Sequence, residues 1–270
     1  MVSLALALFT GLAAGTHAAT WGMYKDSAYE GFHLRRYARS VILGGVVAVA
    51  LQLWRPLPLD TPADFVLLFG LTYVLERALV EFVKVFFRVE NQAKYHIPMQ
   101  LSIGGRVVEH RAVRAAAGAL YAIGIVAVAL AVAALQPLVD AGVRWLPFTV
   151  GTLGGFLCAL GGAWKDAPIE GFSWPKFFRS PLVAGAWGAV LALLTPDLVT
   201  IAFGGLGFSI ATIETYKKFH APAEAPGKFT GKPILYPDVL RWRHRVVPLF
   251  AGIWVFVLGT VGAAVAAVAQ

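Results

Sequence analysis

The sequence predicts an all-α polytopic membrane protein, with eight transmembrane helices arranged as two tandem parallel four-helix repeats and both termini outside. Three observations predict it. Residues AVILMFWYC fill 58% of the 270 positions and only 14% are charged, whereas a soluble domain carries about a quarter charged residues. Apolar stretches of roughly 15–25 residues recur along the chain, and about 20 apolar residues cross a bilayer as a helix. Finally, the second half of the chain repeats motifs of the first in the same order.

The spans read from the apolar runs are about 2–22, 40–55, 63–84, 114–136, 146–163, 180–195, 197–216 and 246–268. The second and sixth are short, so they either cross a locally thinned bilayer or re-enter. Charge decides between these. Of the 23 Lys and Arg residues, 20 fall after spans one, three, five and seven, while the intervening loops hold only Arg55 and Arg144. Basic loops stay cytoplasmic, and so regular an alternation requires every span to cross. The membrane is then the plasma (inner) membrane. Met1–Trp21 resembles a signal peptide, with Thr16-His17-Ala18 as a cleavage site, but it lacks the basic leading region. It is read as a retained span one.

The repeat is strongest at an offset of 140, where residues 22–40 align with 162–180 without a gap and eight of nineteen positions are identical. Lys25-Asp26, Glu30-Gly31-Phe32 and Arg39-Ser40 match Lys165-Asp166, Glu170-Gly171-Phe172 and Arg179-Ser180. Gly11 and Gly15 match Gly151 and Gly155. Further on the offset drifts to about 134, and Glu81, Lys84 and His110-Arg111 echo Glu214, Lys217 and His244-Arg245. The repeats are 1–139 and 140–270. Four spans per repeat is even, so the halves point the same way about an axis along the membrane normal.

The doubled Lys-Asp-x-x-x-Glu-Gly-Phe motif has two readings. As structure, Asp166-Ala167-Pro168 is an N-cap with a first-turn proline, and Gly31 and Gly171 end a short interfacial helix. As function, Asp26, Glu30, Glu81 and His110 converge in one half, and Asp166, Glu170, Glu214 and His244 in the other. Carboxylates with imidazole bind a metal or relay protons. Lys25, Arg39, Lys84 and Arg111, with Lys165, Arg179, Lys217 and Arg245, instead hold a phosphate or carboxylate. Glu76 and Arg77 near the middle of span three have no counterpart in the other half, and intramembrane charges are functional candidates. Arg77, Glu81, Lys84 and Arg88 lie on one helical face and either neutralise one another or line a polar pathway. Gly11-xxx-Gly15 and Gly151-xxx-Gly155 are close-packing faces, or else bare backbone along which a substrate slides.

Other signals are weak. Cys158 is the only cysteine, which excludes an intramolecular disulfide framework and a cysteine zinc cluster. Gly227–Pro233 is not a phosphate-binding loop, because Pro233 stands where Ser or Thr is required. His17 reads as a packing histidine, and no residue pattern names a cofactor. The net charge of +8 follows from topology and attraction to anionic lipids, so nucleic acid is not an expected partner. Membrane lipids, a small charged solute and an oligomer or larger membrane complex are. The functional expectation is a transporter or channel for a small charged solute or lipid headgroup, with its pathway between the repeats. The alternatives are an enzyme acting on a phosphorylated lipid or isoprenoid, with Asp26, Glu30, Asp166 and Glu170 as metal ligands or acid–base groups, and a non-catalytic complex subunit.

Overall fold

A computed structural model describes residues 2–220 and 222–270. Eight helices of 18 to 29 residues form a bundle: α1 (Val2–Glu30), α2 (Leu34–Trp54), α3 (Pro62–Phe82), α4 (Arg111–Ala134), α6 (Leu146–Glu170), α7 (Trp174–Leu191), α8 (Leu198–Thr215) and α10 (Val247–Val268). Short α5 (Gln136–Asp140) follows α4, and α9 (Pro237–Trp242) precedes α10. A two-residue hairpin, β1 (Ser102–Ile103) with β2 (Arg106–Val107), turns through Gly104 and Gly105, both at positive φ.

Among the described residues, six helices are long and apolar enough to span a membrane, and α3 and α7 are not among them. In α3 the charges of Asp64, Glu76, Arg77 and Glu81 interrupt every long apolar window. In α7 the first two turns go to Pro175, Lys176, Arg179 and Pro181. The second span is longer than its apolar run implies, because the helix begins at Leu34 inside the basic segment.

Small residues set the packing. Gly11 and Gly15 on α1 lie against the backbone of Gly44 and Ser40 on α2, so close that neither has room for a Cβ. Gly151 and Gly155 on α6 meet Ala184 and Ser180–Pro181 on α7 in the same way, with a Cβ falling 2.7 and 2.6 Å from the facing backbone. In hydrocarbon no hydrophobic force draws helices together, so close van der Waals approach through small residues holds such pairs. The glycine faces are therefore helix contacts and do not line the cavity described below.

At the centre, α3 crosses α8 where Gly70 faces the backbone of Gly204 and Gly207. Phe69, Tyr73, Leu191, Ile201 and Phe208 form the main core there. Helix α4 packs on α8, and α10 packs on α3 and α1. Both leave large apolar side chains outward, such as Leu120 and Leu130 on α4 and Val255 and Phe256 on α10. Helices α3 and α8 each run on into a π-helical turn, Val83–Phe87 and Tyr216–His220.

The conserved geometry of the Lys-Asp-x-x-x-Glu-Gly pair corrects one expectation. There is no separate interfacial helix: Asp26 and Glu30 belong to the last turns of α1, and Asp166 and Glu170 to those of α6. Asp166 is not an N-cap, and Pro168 lies inside α6. The proline is tolerated because it stands two residues from the helix end, where one missing N–H costs a single bond to the Trp164 carbonyl. Gly31 and Gly171 do end the helices, at φ 79° and 81°, as an L side chain would not.

Candidate functional site

At 1.5 Å per residue, the 29 residues of α1 extend about 44 Å, longer than the ~30 Å hydrocarbon core. The excess length carries the polar motif. Around it lies a cavity of about 1370 Å³ built from all four basic connecting regions. The ends of α1, α3, α6 and α8 and the starts of α2 and α7 line it, and so do Tyr95, Ile97, Met99 and the 224–228 segment. Along α1 the lining runs from Ala18 to Gly31, a depth of about 20 Å. Its floor is Ala18, Trp21, Ser40 and Arg77. Just beyond the floor a layer closes it: the Tyr73 hydroxyl lies 2.8 Å from His17 Nδ1 and accepts from Trp21 Nε1 at 2.8 Å. His17 also stacks on Phe250, and its Nε2 is buried without a hydrogen-bond partner.

The charge of the cavity is unbalanced. Twelve Lys and Arg line it against six Asp and Glu. The carboxylates are mostly paired. Asp26 takes Lys218 Nζ at 3.0 Å and Lys228 Nζ at 2.9 Å. Glu30 takes Arg36 at 2.8 Å and Lys228 at 3.3 Å. Asp166 and Glu170 share Lys176, at 2.8 and 3.0 Å. Glu214 pairs with Lys217 at 2.9 Å, and Glu81 with Lys84. Burial alone would lower the pKa of Lys228, but the charges of Asp26 and Glu30 hold it above the ordinary lysine value. Burial, reinforced by the negative charges of Glu30 and Glu90, raises that of the Tyr95 phenol, whose hydroxyl donates to Glu30 Oε1 at 3.2 Å and Glu90 Oε1 at 3.1 Å.

The two loops that meet over this end are tied together. His96 N donates to the Lys228 carbonyl at 2.8 Å, and Lys232 Nζ to the Ala93 carbonyl at 2.8 Å. Tyr29, Tyr95, Met99 and Phe229 pack beneath them. At the other end of the bundle, Arg55 pairs with Asp197, which also caps α8 by accepting from Thr200 N at 2.9 Å.

Of the residues singled out in the sequence, Lys25, Asp26, Glu30, Arg39, Arg77, Glu81, Lys84, Lys165, Asp166, Arg179, Glu214 and Lys217 line this one cavity. They do not form one cluster per half, as expected; both halves contribute to a shared recess. His110 and Arg111 are exposed at the start of α4, outside it. His244, exposed, bonds the Tyr24 hydroxyl at 3.0 Å, and Arg245 is exposed too. Neither histidine joins a carboxylate, and no three His, Cys, Asp or Glu among the described residues gather closely enough to hold a metal ion. Glu170 stands behind Lys176 and outside the lining.

Glu76 is 1% exposed and does not line the cavity. Among the described residues its hydrogen bonds come only from Arg77, the next residue, including Arg77 Nη2 to Glu76 Oε1 at 2.6 Å. Arg77 reaches the cavity floor, 5.3 Å over the Trp21 ring and 3.3 Å from Ser40 Oγ. Glu76 therefore neutralises and holds Arg77. The expected ladder of Arg77, Glu81, Lys84 and Arg88 is replaced by the pairs Glu76–Arg77, Glu81–Lys84 and Glu90–Arg88.

Sequence reasoning missed Lys176, Lys218 and Lys228. Lys176 carried a signal, since the 140-residue offset places it opposite Arg36, another partner of the motif glutamate. Lys218 and Lys228 carried none, because their partner Asp26 lies about 200 residues away in the chain. Compared with known proteins, the chain matches no family model, no curated protein and no solved structure.

Proposed function

We propose that the protein is a membrane transporter for a small charged solute or lipid headgroup, with the cavity as its binding chamber and its mouth at the cytoplasmic face. The observation that carries this reading is the charge surplus in a recess reaching about 20 Å along α1. A cleft lined mostly by one sign of charge gathers ions of the opposite sign, which marks a binding site.

The hydrogen-bonded layer of His17, Trp21 and Tyr73 beside the floor supports a carrier over an open channel. Pairing across the two proposed repeats supports a site on their shared axis. Gly70 meets Gly204, its counterpart at an offset of 134. The π turns at Val83–Phe87 and Tyr216–His220 fall at matching places, and such turns concentrate at functional sites. Glu30–Arg36 and Glu170–Lys176 are the same ion pair at an offset of 140. Each last helix packs on the opposite half, α4 on α8 and α10 on α3. Two halves rocking about such an axis would carry the chamber from one face to the other. The enzyme reading has less support, because four carboxylates of the doubled motif are engaged by Lys or Arg.

The test is electrical. Proteoliposomes adsorbed on a supported membrane are exposed to concentration jumps of phosphate, diphosphate, a dicarboxylate and a quaternary ammonium. A transporter gives a transient current for at least one class, abolished when Gly22→Cys on the cavity wall is blocked with a bulky thiol reagent. No current for any class, from protein shown to be folded, contradicts the proposal.

A further inference from the structure

Five of the six carboxylates that line the cavity have Lys or Arg partners, and apart from Glu224 the groups left over are cations. Arg39 lines the cavity, open to it, with no hydrogen bond or ion pair to any described residue. Arg36, Arg77 and Arg88 press like charge on it, offset in part by Glu76. Arg179 lines it from α7, and its Nε is buried without a hydrogen-bond partner. Its guanidinium lies 5.9 Å from the centre of the Tyr216 ring. Among the described residues Lys165 makes one hydrogen bond, to Met99 Sδ at 3.5 Å, and has no carboxylate within ion-pair distance, although the charges of Glu81 and Asp166 act on it from further away.

We infer that the cavity binds a phosphate-bearing anion of two or more negative charges, held by Arg39, Lys165 and Arg179. This deepens the transporter reading by naming its substrate class, and it rests on the cavity being the working site. The sign follows from the excess of cations: a cationic solute would meet like charge, and a neutral one would leave it uncompensated. The class follows from geometry and valence. A guanidinium is a planar fork that grips two oxygens of one phosphate or carboxylate. Arg39 and Arg179 occupy matching positions in the two halves and line the same cavity, so a ligand lying between the halves would meet a fork from each. A multivalent anion relieves more of the surplus than chloride or a monocarboxylate.

A lipid headgroup and a soluble phosphate present the same chemistry, so the experiment carries both. Purified full-length protein in neutral detergent is titrated with sodium diphosphate, or with short-chain phosphatidic acid in micelles, at constant ionic strength with chloride as reference. Thermal stability and calorimetric heat are recorded. Sucrose serves as a control for general stabilisation by exclusion, which acts on folded proteins without a site. The expected result is saturable binding of at least one phosphate probe. Arg39→Gln and Arg179→Gln should each weaken it about tenfold or more, the loss of one strong ionic contact. The sucrose shift should persist in both variants, and the exposed Arg106→Gln should bind as the parent does. Neither variant should lower ligand-free stability, since each removes an unpaired charge. If one nevertheless fails to fold, the lysine variant is measured instead, with an intermediate loss expected because charge remains and the fork does not.

Binding of diphosphate points to a soluble source, and binding of phosphatidic acid alone to a lipid one; both support the site. Absence of saturable binding, or equal affinity in parent and both variants, overturns it. Saturable binding without any solute-jump current leaves the anion site standing and removes the transport reading. Current carried only by the quaternary ammonium does the reverse.

Discussion

Replacing Gly155 by alanine tests whether small residues hold α6 against α7. A Cβ there would lie 2.6 Å from the Ser180 carbonyl oxygen and Pro181 Cα, against an ordinary contact of 3.4 Å or more. The helices must separate by about 0.4–0.8 Å, which forfeits roughly a quarter of each atom–atom attraction at the crossing. For neighbours making some tens of contacts of ~0.1–0.2 kcal/mol each, the loss is about 1–2 kcal/mol, within the usual range for overpacking. Gly161 in the same helix has no atom within 4 Å of a Cβ, so Gly161→Ala should be neutral or stabilising by up to ~1 kcal/mol through helix propensity. The propensity gain is common to both alanines, six residues apart in one helix, so the two should differ by the packing loss of about 1–2 kcal/mol. Unfolding by SDS titration in mixed micelles measures it. Equal stabilities would refute the view that glycine is required for close approach at this crossing.

Three further outcomes follow from single contacts. Asp197→Ala removes both the α8 cap and the partner of Arg55 and should cost about 1 kcal/mol, while Arg55→Ala removes only a surface ion pair and should cost less; SDS unfolding of both compares them. Burial would raise the pKa of Glu90, but hydrogen bonds and charge from Lys94 and Arg88 bring it below the ordinary 4.5. Its contribution is therefore present above about pH 4.5 and lost as pH falls through the depressed value, so stability measured by thermal unfolding should decline less on acidification in Glu90→Gln than in the parent. Arg35 and Thr61 are both exposed, at opposite ends of α2. In a Cys158→Ser background, cysteines placed there should react with an impermeant maleimide from opposite faces of the membrane, and labelling from one face would break the proposed topology.

The helices were legible because apolar runs of bilayer length leave the backbone no alternative to satisfying its own hydrogen bonds. The glycine stops were legible too, since Gly31 and Gly171 occupy a backbone region that side chains avoid. The continuation of α1 and α6 through the doubled motif was not. Hydropathy falls at Lys25 and Lys165 although both helices continue past them, and a polar helical turn reads like a loop. The cavity's cations were half visible. Lys25, Arg39, Lys165 and Arg179 stood out through their matching spacing, whereas Lys218 and Lys228 arrive from a π turn and a loop whose placement depends on tertiary packing. The place of Glu76, a functional candidate in the sequence, was hidden for a related reason. Its depth was evident in the sequence, but rotamer choice turned it towards adjacent Arg77 and left that arginine at the cavity floor.

The most direct test of the central claim, that the cavity is the chamber of a carrier, is the accessibility of one position on its wall. Gly22 lines the cavity and has open space where a side chain would project. With Cys158 replaced by Ser, Gly22→Cys in sealed vesicles of known orientation is exposed to an impermeant maleimide from each face in turn. The account predicts rapid labelling from the face bearing the basic loops and slower, measurable labelling from the other, because a carrier must open to both. Labelling confined to the basic face, whichever charged solute is present, would mean a chamber permanently shut by Tyr73 and His17, and would contradict the claim.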